Sequence, residues 1–282
     1  MSLTPAAAAP RQLLALLAAS ADQIVPVSVL MEELWPSGAP RGARAELHAH
    51  VLGLRSLLAS ARPEGRTGEG GRTPETVLAA ETGGYRLDTG GGSHDVWQFE
   101  RAAGAGYRAM EAGDLARAAL RLGEALALWR GEPYAGVASG PRLAAEVERL
   151  EASRLSVLDQ WAEAQLGLGL HAEMVPELAM HAAQYPLSEA LNAHFMIALL
   201  RTGRTDDALE VYQRLCAMLE RDGGRTPSAR LRRLHRSLLS VRDTVLPRVP
   251  TQPRFRGGPT AVPMTAAPSV TSTVTPTATA AV

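Results

Sequence analysis

The sequence contains no lysine, so each of its 29 basic residues is an arginine. This absence excludes a phosphate-binding loop of the G-x-x-x-x-G-K-[ST] type, because that loop uses a lysine to reach the nucleotide phosphates. Only one cysteine is present, Cys216. A disulfide within the chain is therefore excluded, which fits a reducing compartment such as the cytoplasm.

Long hydrophobic runs and catalytic motifs are also missing. No stretch of about 18 apolar residues occurs, so we expect no membrane-spanning helix and no membrane partner. The motifs H-E-x-x-H, C-x-x-C and G-x-S-x-G are absent. His48 and His50 stand two residues apart, and on a helix such neighbours point in different directions, which makes them a poor metal pair. We expect no metal, no other cofactor and no enzymatic activity.

Aromatic residues make up only 4% of the chain, whereas hydrophobic residues of all kinds make up 46%. The core must therefore consist mostly of alanine and leucine, which have high helix propensity and predict a mainly α-helical fold. The net charge of zero is unevenly distributed: residues 1–93 carry −1, residues 94–220 carry −7, and residues 221–256 carry +8. A strongly basic balance is typical of nucleic-acid binders, and only the third segment has it.

Three short helices are predicted near the start of the chain. The first covers residues 11–19, and the second follows Ser28, which we predict as its N-cap. The third covers residues 41–59 and carries an apolar stripe at the spacing of one helical face. The residues of that stripe are Leu47, Val51, Leu54 and Leu58.

A hairpin follows these helices. Residues 62–75 are rich in glycine and charge without periodicity, which predicts a flexible loop. The next stretch, TVLAAETGGYRLD, places a Gly-Gly turn between two short apolar runs and so indicates a β-hairpin. Three helices closed by a two-stranded hairpin predict a winged helix-turn-helix domain over residues 1–93.

Helix follows helix from His94 onward, and an internal repeat is present. Two similar segments begin at Gly169 and Gly203, which lie 34 residues apart, the period of tetratricopeptide repeats. Helix pairs of this kind cannot bury their apolar faces alone, because each needs a neighbour to cover it. We therefore expect an α-solenoid of tetratricopeptide-like helix pairs over residues 94–242.

The end of the chain is expected to contain a capping helix and a tail. Leu231, Leu234 and Leu238 form one stripe and are predicted to bury the last helix as the cap of the solenoid. Residues 243–282 are rich in proline, threonine, alanine and valine, with few bulky side chains. Such a composition cannot form a packed core, which predicts a disordered tail.

Several motifs in this order resemble one family. They are RQLLALL, VPVSVLMEELWP, LHAHVLGLRSLL, ETGGYRLD, ALALWRGEPYAGV, AEVERLEASRLSVLDQWAEAQLGLG, RTGRTDDALEVYQRL and TPSARLRRLHRSLL. They resemble the Streptomyces antibiotic regulatory protein family, and the likeness covers roughly residues 2–242. Within the second half, LWRGEPY and LEASRL are specific signals of a bacterial transcriptional activation domain.

The resemblance implies an OmpR-like winged helix-turn-helix protein that activates a biosynthetic gene cluster. Such proteins bind direct repeats in promoter DNA and recruit RNA polymerase holoenzyme, which implies a cytoplasmic, nucleoid-associated protein. The helix matching residues 44–56 is expected in the major groove, and the Gly-Gly hairpin is expected to touch the DNA backbone or minor groove. The repeats are expected to mediate polymerase contact and homodimerisation. Family members have a small β-sheet before the first helix, which we expect to be missing here.

Six residues are candidate DNA contacts. With the leucine stripe inward, we expect Arg44 and His48 to enter the groove and Arg41 and Arg55 to bind phosphates. The two candidates on the hairpin are Thr82 and Arg86. The alternative to DNA contact is that these charged residues of the third helix only form a polar face in contact with solvent.

A second function remains open, in which the chain is a truncated or degenerate relative. It would then be a tetratricopeptide-like adaptor that binds a protein partner without specific DNA binding. The net charge of −1 in residues 1–93 favours this reading. So do Glu46, a carboxylate that would face phosphates, and Gly53, because glycine inside a helix costs about 1 kcal/mol relative to alanine.

Overall fold

A computed structural model describes residues 4–60 and 72–245 of the chain. The residues up to Val245 belong to one unit, and the residues after it lie outside the described part. The disorder expected for residues 243–282 therefore concerns a segment that is almost wholly outside the described residues. The same holds for most of the loop expected over residues 62–75.

The first elements form a winged helix-turn-helix, as the sequence predicts. In chain order they are α1 (Ala8–Ala19), β1 (Ile24–Pro26), α2 (Val27–Leu34), α3 (Ala43–Ser60), α4 (Pro74–Val77), β2 (Leu78–Glu81) and β3 (Gly84–Leu87). β3 lies between β1 and β2 in one antiparallel sheet, where Tyr85 pairs with both Val25 and Ala80. β1 was not predicted, because three residues that end in proline show no alternation of apolar and polar side chains.

The entry into α2 differs from the sequence prediction. Ser28 is not the N-cap, because α2 begins at Val27 and Pro26 occupies the N-cap position. The backbone N–H of Val27 donates to the carbonyl of Gly83 at 2.9 Å. The chain thus turns from β1 into α2 while it is still bonded to the hairpin turn, and a side-chain cap at Ser28 is not needed.

The apolar stripe of α3 is buried, as predicted. Leu47, Val51 and Leu54 are each at most 2% exposed, and Leu58 is half-buried. They pack in one apolar cluster with leucines of α1, which are Leu13, Leu16 and Leu17. Full burial of one aliphatic side chain contributes about 1.5–3 kcal/mol, so this cluster determines which face of α3 remains outside.

Seven helices follow the winged helix-turn-helix within the described residues. They are α5 (Asp95–Glu111), α6 (Leu115–Leu126), α7 (Pro141–Gly167), α8 (His171–Gln184), α9 (Glu189–Arg201), α10 (Thr205–Arg221) and α11 (Ala229–Val245). Successive helices pack against each other, in the stacked arrangement of tetratricopeptide-like pairs that the 34-residue spacing predicts. Leu231 and Leu238 of α11 are at most 1% exposed, so α11 covers the end of the stack as predicted.

A glycine in the left-handed region follows α5, α7, α9 and α10. The first three of these glycines make the same turn. Gly113, Gly169 and Gly203 have φ angles of 72°, 85° and 78°. In each turn the next residue donates a hydrogen bond to a carbonyl five positions earlier. The pairs are Asp114 to Ala109 (2.9 Å), Leu170 to Gln165 (3.2 Å) and Arg204 to Leu199 (2.8 Å). This Schellman geometry satisfies helix-end carbonyls and explains why glycine recurs at the repeat spacing.

We expect Gly53→Ala to raise the free energy of unfolding by about 1 kcal/mol. Gly53 lies inside α3, and an added Cβ would meet nothing within 4 Å. The alanine therefore only removes the excess backbone freedom of the unfolded chain. Urea unfolding followed by circular dichroism measures the change.

Gly106→Ala in α5 is the matched contrast. A Cβ at Gly106 would lie 2.5 Å from Cγ and Cδ2 of the buried Leu122, so either side chain or helix must shift. We expect this variant to lose about 1–3 kcal/mol, because overpacking outweighs the gain in helix propensity. Shifts of the same sign for both variants would contradict this account of α3 and α5.

Candidate nucleic-acid interface

The outer face of α3 is the candidate surface for nucleic acid. Arg44 and His48 are exposed on α3, and Arg41 is exposed in the turn before it. Arg44, His48 and Arg55 follow each other at spacings of four and seven residues, so they share one flank of the helix. Among the described residues, no carboxylate pairs with Arg41 or Arg44.

The flank that carries these side chains faces the hairpin. Nδ1 of His48 lies 3.4 Å from the hydroxyl of Tyr85 on β3. Arg55 is half-buried, and its Nε and Nη2 atoms donate to the carbonyl of Leu78 at 3.0 and 2.7 Å. Arg55 thus ties α3 to the first residue of β2 and fixes the hairpin beside the helix.

The two hairpin candidates occupy different environments. Thr82 is exposed in the turn between β2 and β3. Arg86 follows Tyr85 on β3, and successive side chains of a strand point to opposite faces, so Arg86 lies on the sheet face away from α3. Its guanidinium donates to Glu81 Oε1 at 3.0 Å and to Asp88 Oδ2 at 3.3 Å. The hydrogen bond to Glu81 is the main reason that the pKa of Arg86 is raised.

The rest of the exposed surface of α3 carries a carboxylate and apolar side chains instead of arginine. Nε2 of His50 lies 3.7 Å from Oε1 of Glu46, so these two residues of the other flank lie close together. Between the two flanks, Leu52 is exposed to 48%, and it was not among the residues predicted from the sequence. The signal was present, because Leu52 lies five residues after Leu47 and so falls outside the core stripe.

The described residues contain neither a membrane-spanning helix nor a metal cluster. No helix in residues 4–60 and 72–245 is long and apolar enough to cross a membrane. Within the same ranges, no three side chains of histidine, cysteine, aspartate or glutamate are grouped so that they could hold a metal ion.

A buried carboxylate joins the winged helix-turn-helix to the repeats. Glu33, near the end of α2, has no exposed surface. Its carboxylate accepts backbone N–H groups at the start of α7, from Gly140 at 2.7 Å, Arg142 at 2.8 Å and Leu143 at 3.3 Å. These donors have no partner inside the helix, and the positive end of the helix dipole favours a carboxylate there. Glu33 thus caps a helix more than a hundred residues away.

Two neighbours make this contact close and complete. Nε2 of Gln12 on α1 donates to the carbonyl of Glu33 at 2.8 Å and lies 3.4 Å from its carboxylate. A Cβ at Gly140 would stand 2.3 Å from the backbone oxygen of Glu33. Only glycine therefore allows the end of α2 to approach the start of α7 this closely. Sequence reasoning missed Glu33, because adjacent glutamates at positions 32 and 33 look like ordinary solvated charges.

These features define a class of protein: a winged helix-turn-helix packed onto tetratricopeptide-like repeats, as in bacterial transcriptional regulators. The bacterial transcriptional activator domain family matches residues 94–239. DnrI, a regulatory protein of Streptomyces peucetius, is 43% identical over 238 residues, which cover 84% of this chain and 86% of DnrI. The transcriptional regulator RedD of Streptomyces coelicolor is 32% identical over 236 residues, covering 84% of this chain and 65% of RedD.

The chain belongs to the Streptomyces antibiotic regulatory protein family, whose members are transcriptional regulators rather than enzymes. This confirms the resemblance of the sequence motifs. A solved structure supports the fold: EmbR of Mycobacterium tuberculosis, in complex with a low-affinity phosphopeptide, is similar with a TM-score of 0.72 and 29% identity. The match covers 83% of this chain and 60% of the EmbR chain.

We expect Glu33→Ala to lower the free energy of unfolding by about 3 kcal/mol. The substitution leaves three backbone N–H groups of α7 without their acceptor, and an unsatisfied buried donor costs about 1–3 kcal/mol. Urea unfolding measures the loss. Glu32→Ala is the matched control, because Glu32 is exposed on the same helix and should change stability by less than about 0.5 kcal/mol. Equal losses for the two variants would rule out the capping role of Glu33.

Proposed function

We propose that this chain is a DNA-binding transcriptional activator of a secondary-metabolite biosynthetic gene cluster. In this proposal, residues 1–93 bind direct repeats in promoter DNA, with α3 in the major groove and the β2–β3 hairpin beside it. Residues 94–242 contact RNA polymerase holoenzyme and mediate homodimerisation. The family membership supports the regulatory role, and the surface of α3 supports the DNA contact.

One observation carries the proposal: Arg44 of α3 and Arg41 in the turn before it are exposed, on the same helix whose His48 lies next to Tyr85 of the hairpin. Arg41 and Arg44 are exposed and have no carboxylate partner among the described residues, whereas Arg55, Arg72 and Arg86 form hydrogen bonds within the chain. Unpaired guanidinium groups on one edge of an exposed helix suit phosphates and guanine edges. We keep Arg41, Arg44, His48 and Thr82 as proposed DNA contacts.

Arg55 and Arg86 have a different role in this proposal. Arg55 donates twice to the carbonyl of Leu78, and Arg86 is held between the carboxylates of Glu81 and Asp88. An arginine engaged in this way has fewer donors left for a phosphate. We propose that Arg55 positions the hairpin relative to α3, that Arg86 links β3 to β2 through Glu81, and that any DNA contact they make is secondary.

The second candidate function is an adaptor that binds a protein partner without specific DNA binding. Two observations support it. The charge of Arg86 on the hairpin is outweighed by the two carboxylates that pair with it, and Glu46 is exposed on α3. Carboxylates near the DNA surface oppose phosphate binding. The two functions differ in one measurable property, which is the salt-dependent binding of duplex DNA.

We expect Arg44→Ala to weaken binding to promoter DNA by about tenfold, because one good contact to a base edge contributes about 1–3 kcal/mol. Fluorescence anisotropy with labelled duplexes from the promoters next to the chain's own gene measures the dissociation constant. The measurement begins at low salt, where phosphate contacts are strongest, and continues over a salt series.

Arg117→Ala is the matched control, because Arg117 is an exposed arginine on α6, away from the proposed surface. It should leave the dissociation constant unchanged. An equal loss of affinity for both variants would indicate that the DNA responds only to the total charge of the protein. That result would remove Arg44 from the site. If the unsubstituted chain binds none of the duplexes at low salt, the activator proposal fails and the adaptor is favoured.

A further inference from the structure

The outer surface of α3 carries a second apolar stripe, opposite to the core stripe. Ala45, Ala49 and Leu52 follow each other at spacings of four and three residues, and Ser56 continues the line after four more. This is the spacing of one helical face. All four are exposed, and Leu52 is exposed to 48%. α3 is therefore apolar on two opposite sides, and only one of them is covered by the described chain.

The second stripe lies inside the proposed DNA surface. Arg44 and His48 flank it on the hairpin side, and Glu46 flanks it on the other. A single exposed leucine is unremarkable on a protein surface. Ala45, Ala49 and Leu52 are a different case, because they form a line along the middle of the face. Arg44, which borders this line, has no carboxylate partner in the described part of the chain. The line is also the part of α3 that would enter deepest into a groove.

The chemistry of the stripe selects what it can contact. Ala45, Ala49 and Leu52 have no side-chain donors, so they cannot satisfy the N7 and O6 acceptors that guanine presents in the major groove. A buried acceptor without a partner is costly. The C5-methyl group of thymine is the apolar feature of the major-groove edge, and it is read by apolar side chains. The small alanines also allow the helix backbone to approach the bases closely.

We infer that Leu52, together with Ala49, reads thymine methyl groups in the major groove and thereby determines sequence specificity. Arg44 contacts the neighbouring base or phosphate on the hairpin side. The inference rests on the proposed function, since it assumes that α3 enters the groove. It adds a residue that carries specificity without a hydrogen bond, and it assigns thymine to the base pairs under the middle of α3.

Deletion of single methyl groups from the DNA tests this inference. Duplexes with a randomised central segment are selected on the full chain at low salt, and the enriched duplex is synthesised again with deoxyuridine in place of one thymidine at a time. Deoxyuridine lacks only the C5-methyl group. We expect about a fourfold loss of affinity at one or two positions, which corresponds to about 0.8 kcal/mol per buried methyl group.

Leu52→Ala connects the lost methyl group to one side chain. Leucine and alanine are both good helix formers, so α3 should remain folded. We expect the variant to bind the thymidine duplex several-fold more weakly and to lose most of its sensitivity to deoxyuridine, as coupled partners do in a double-mutant cycle. Leu120→Ala on α6 is the matched control, because Leu120 is 58% exposed and far along the chain from α3. It should leave both affinities unchanged.

The outcomes separate the inference from the function on which it rests. If no duplex is enriched and none binds at low salt, both fail. If a duplex is bound but no deoxyuridine substitution changes the affinity, DNA binding stands and the thymine contact is overturned. If Leu52→Ala weakens binding while the sensitivity to deoxyuridine remains, Leu52 contacts another part of the DNA, and the inference is again overturned.

Discussion

The hydrogen bonds from the start of α7 to the carboxylate of Glu33 hold the two parts of the described chain in one arrangement. A carboxylate with no exposed surface is tolerated only when its oxygens are satisfied, because burial of an unpaired charge is very costly. Three backbone N–H groups and Gln12 supply those partners. A shift of α2 against α7 would leave both the carboxylate and the N–H groups unsatisfied. The winged helix-turn-helix and the repeats are thus held together by these buried hydrogen bonds as well as by the covalent chain.

The composition of the chain explains the character of α3. A core built mostly from alanine and leucine makes helices that can be apolar on more than one side, because these residues also fill exposed positions. In α3, only the stripe of Leu47, Val51 and Leu54 is covered, by the leucines of α1. The flank toward the hairpin is held by Arg55 and by the contact of His48 with Tyr85. The remaining face has no described partner of its own, and this is the surface for which we propose a nucleic acid.

Sequence patterns predicted those elements that depend only on residues close together in the chain. The stripe of α3 and the glycine turns at Gly169 and Gly203 follow from side-chain spacing and backbone freedom, which the sequence displays directly. The candidate site was predicted in part: Arg44 and His48 are exposed as expected, while Arg55 and Arg86 form intramolecular hydrogen bonds that depend on the sheet. Whether any of the six candidates contacts DNA stays a prediction.

Features with a distant cause could not be predicted. β1 exists because β3 pairs with it, about sixty residues later in the chain, and its three residues carry no pattern of their own. Glu33 is buried because α7 begins beside it, and its partner Gly140 is 107 positions away. No spacing rule within α2 distinguishes Glu33 from its exposed neighbour Glu32. Such contacts become visible only when the folded chain is known.

Helix α2 is bonded at both of its ends, and this has a mechanical consequence. Its first residue, Val27, donates to the hairpin turn at Gly83, and Glu33 near its other end caps α7. At 1.5 Å per residue, its eight residues form a rod about 12 Å long. The hairpin turn and the first turn of α7 are therefore connected by hydrogen bonds at the two ends of a single short helix. The distance between the hairpin and the repeats is thus set by the length of α2.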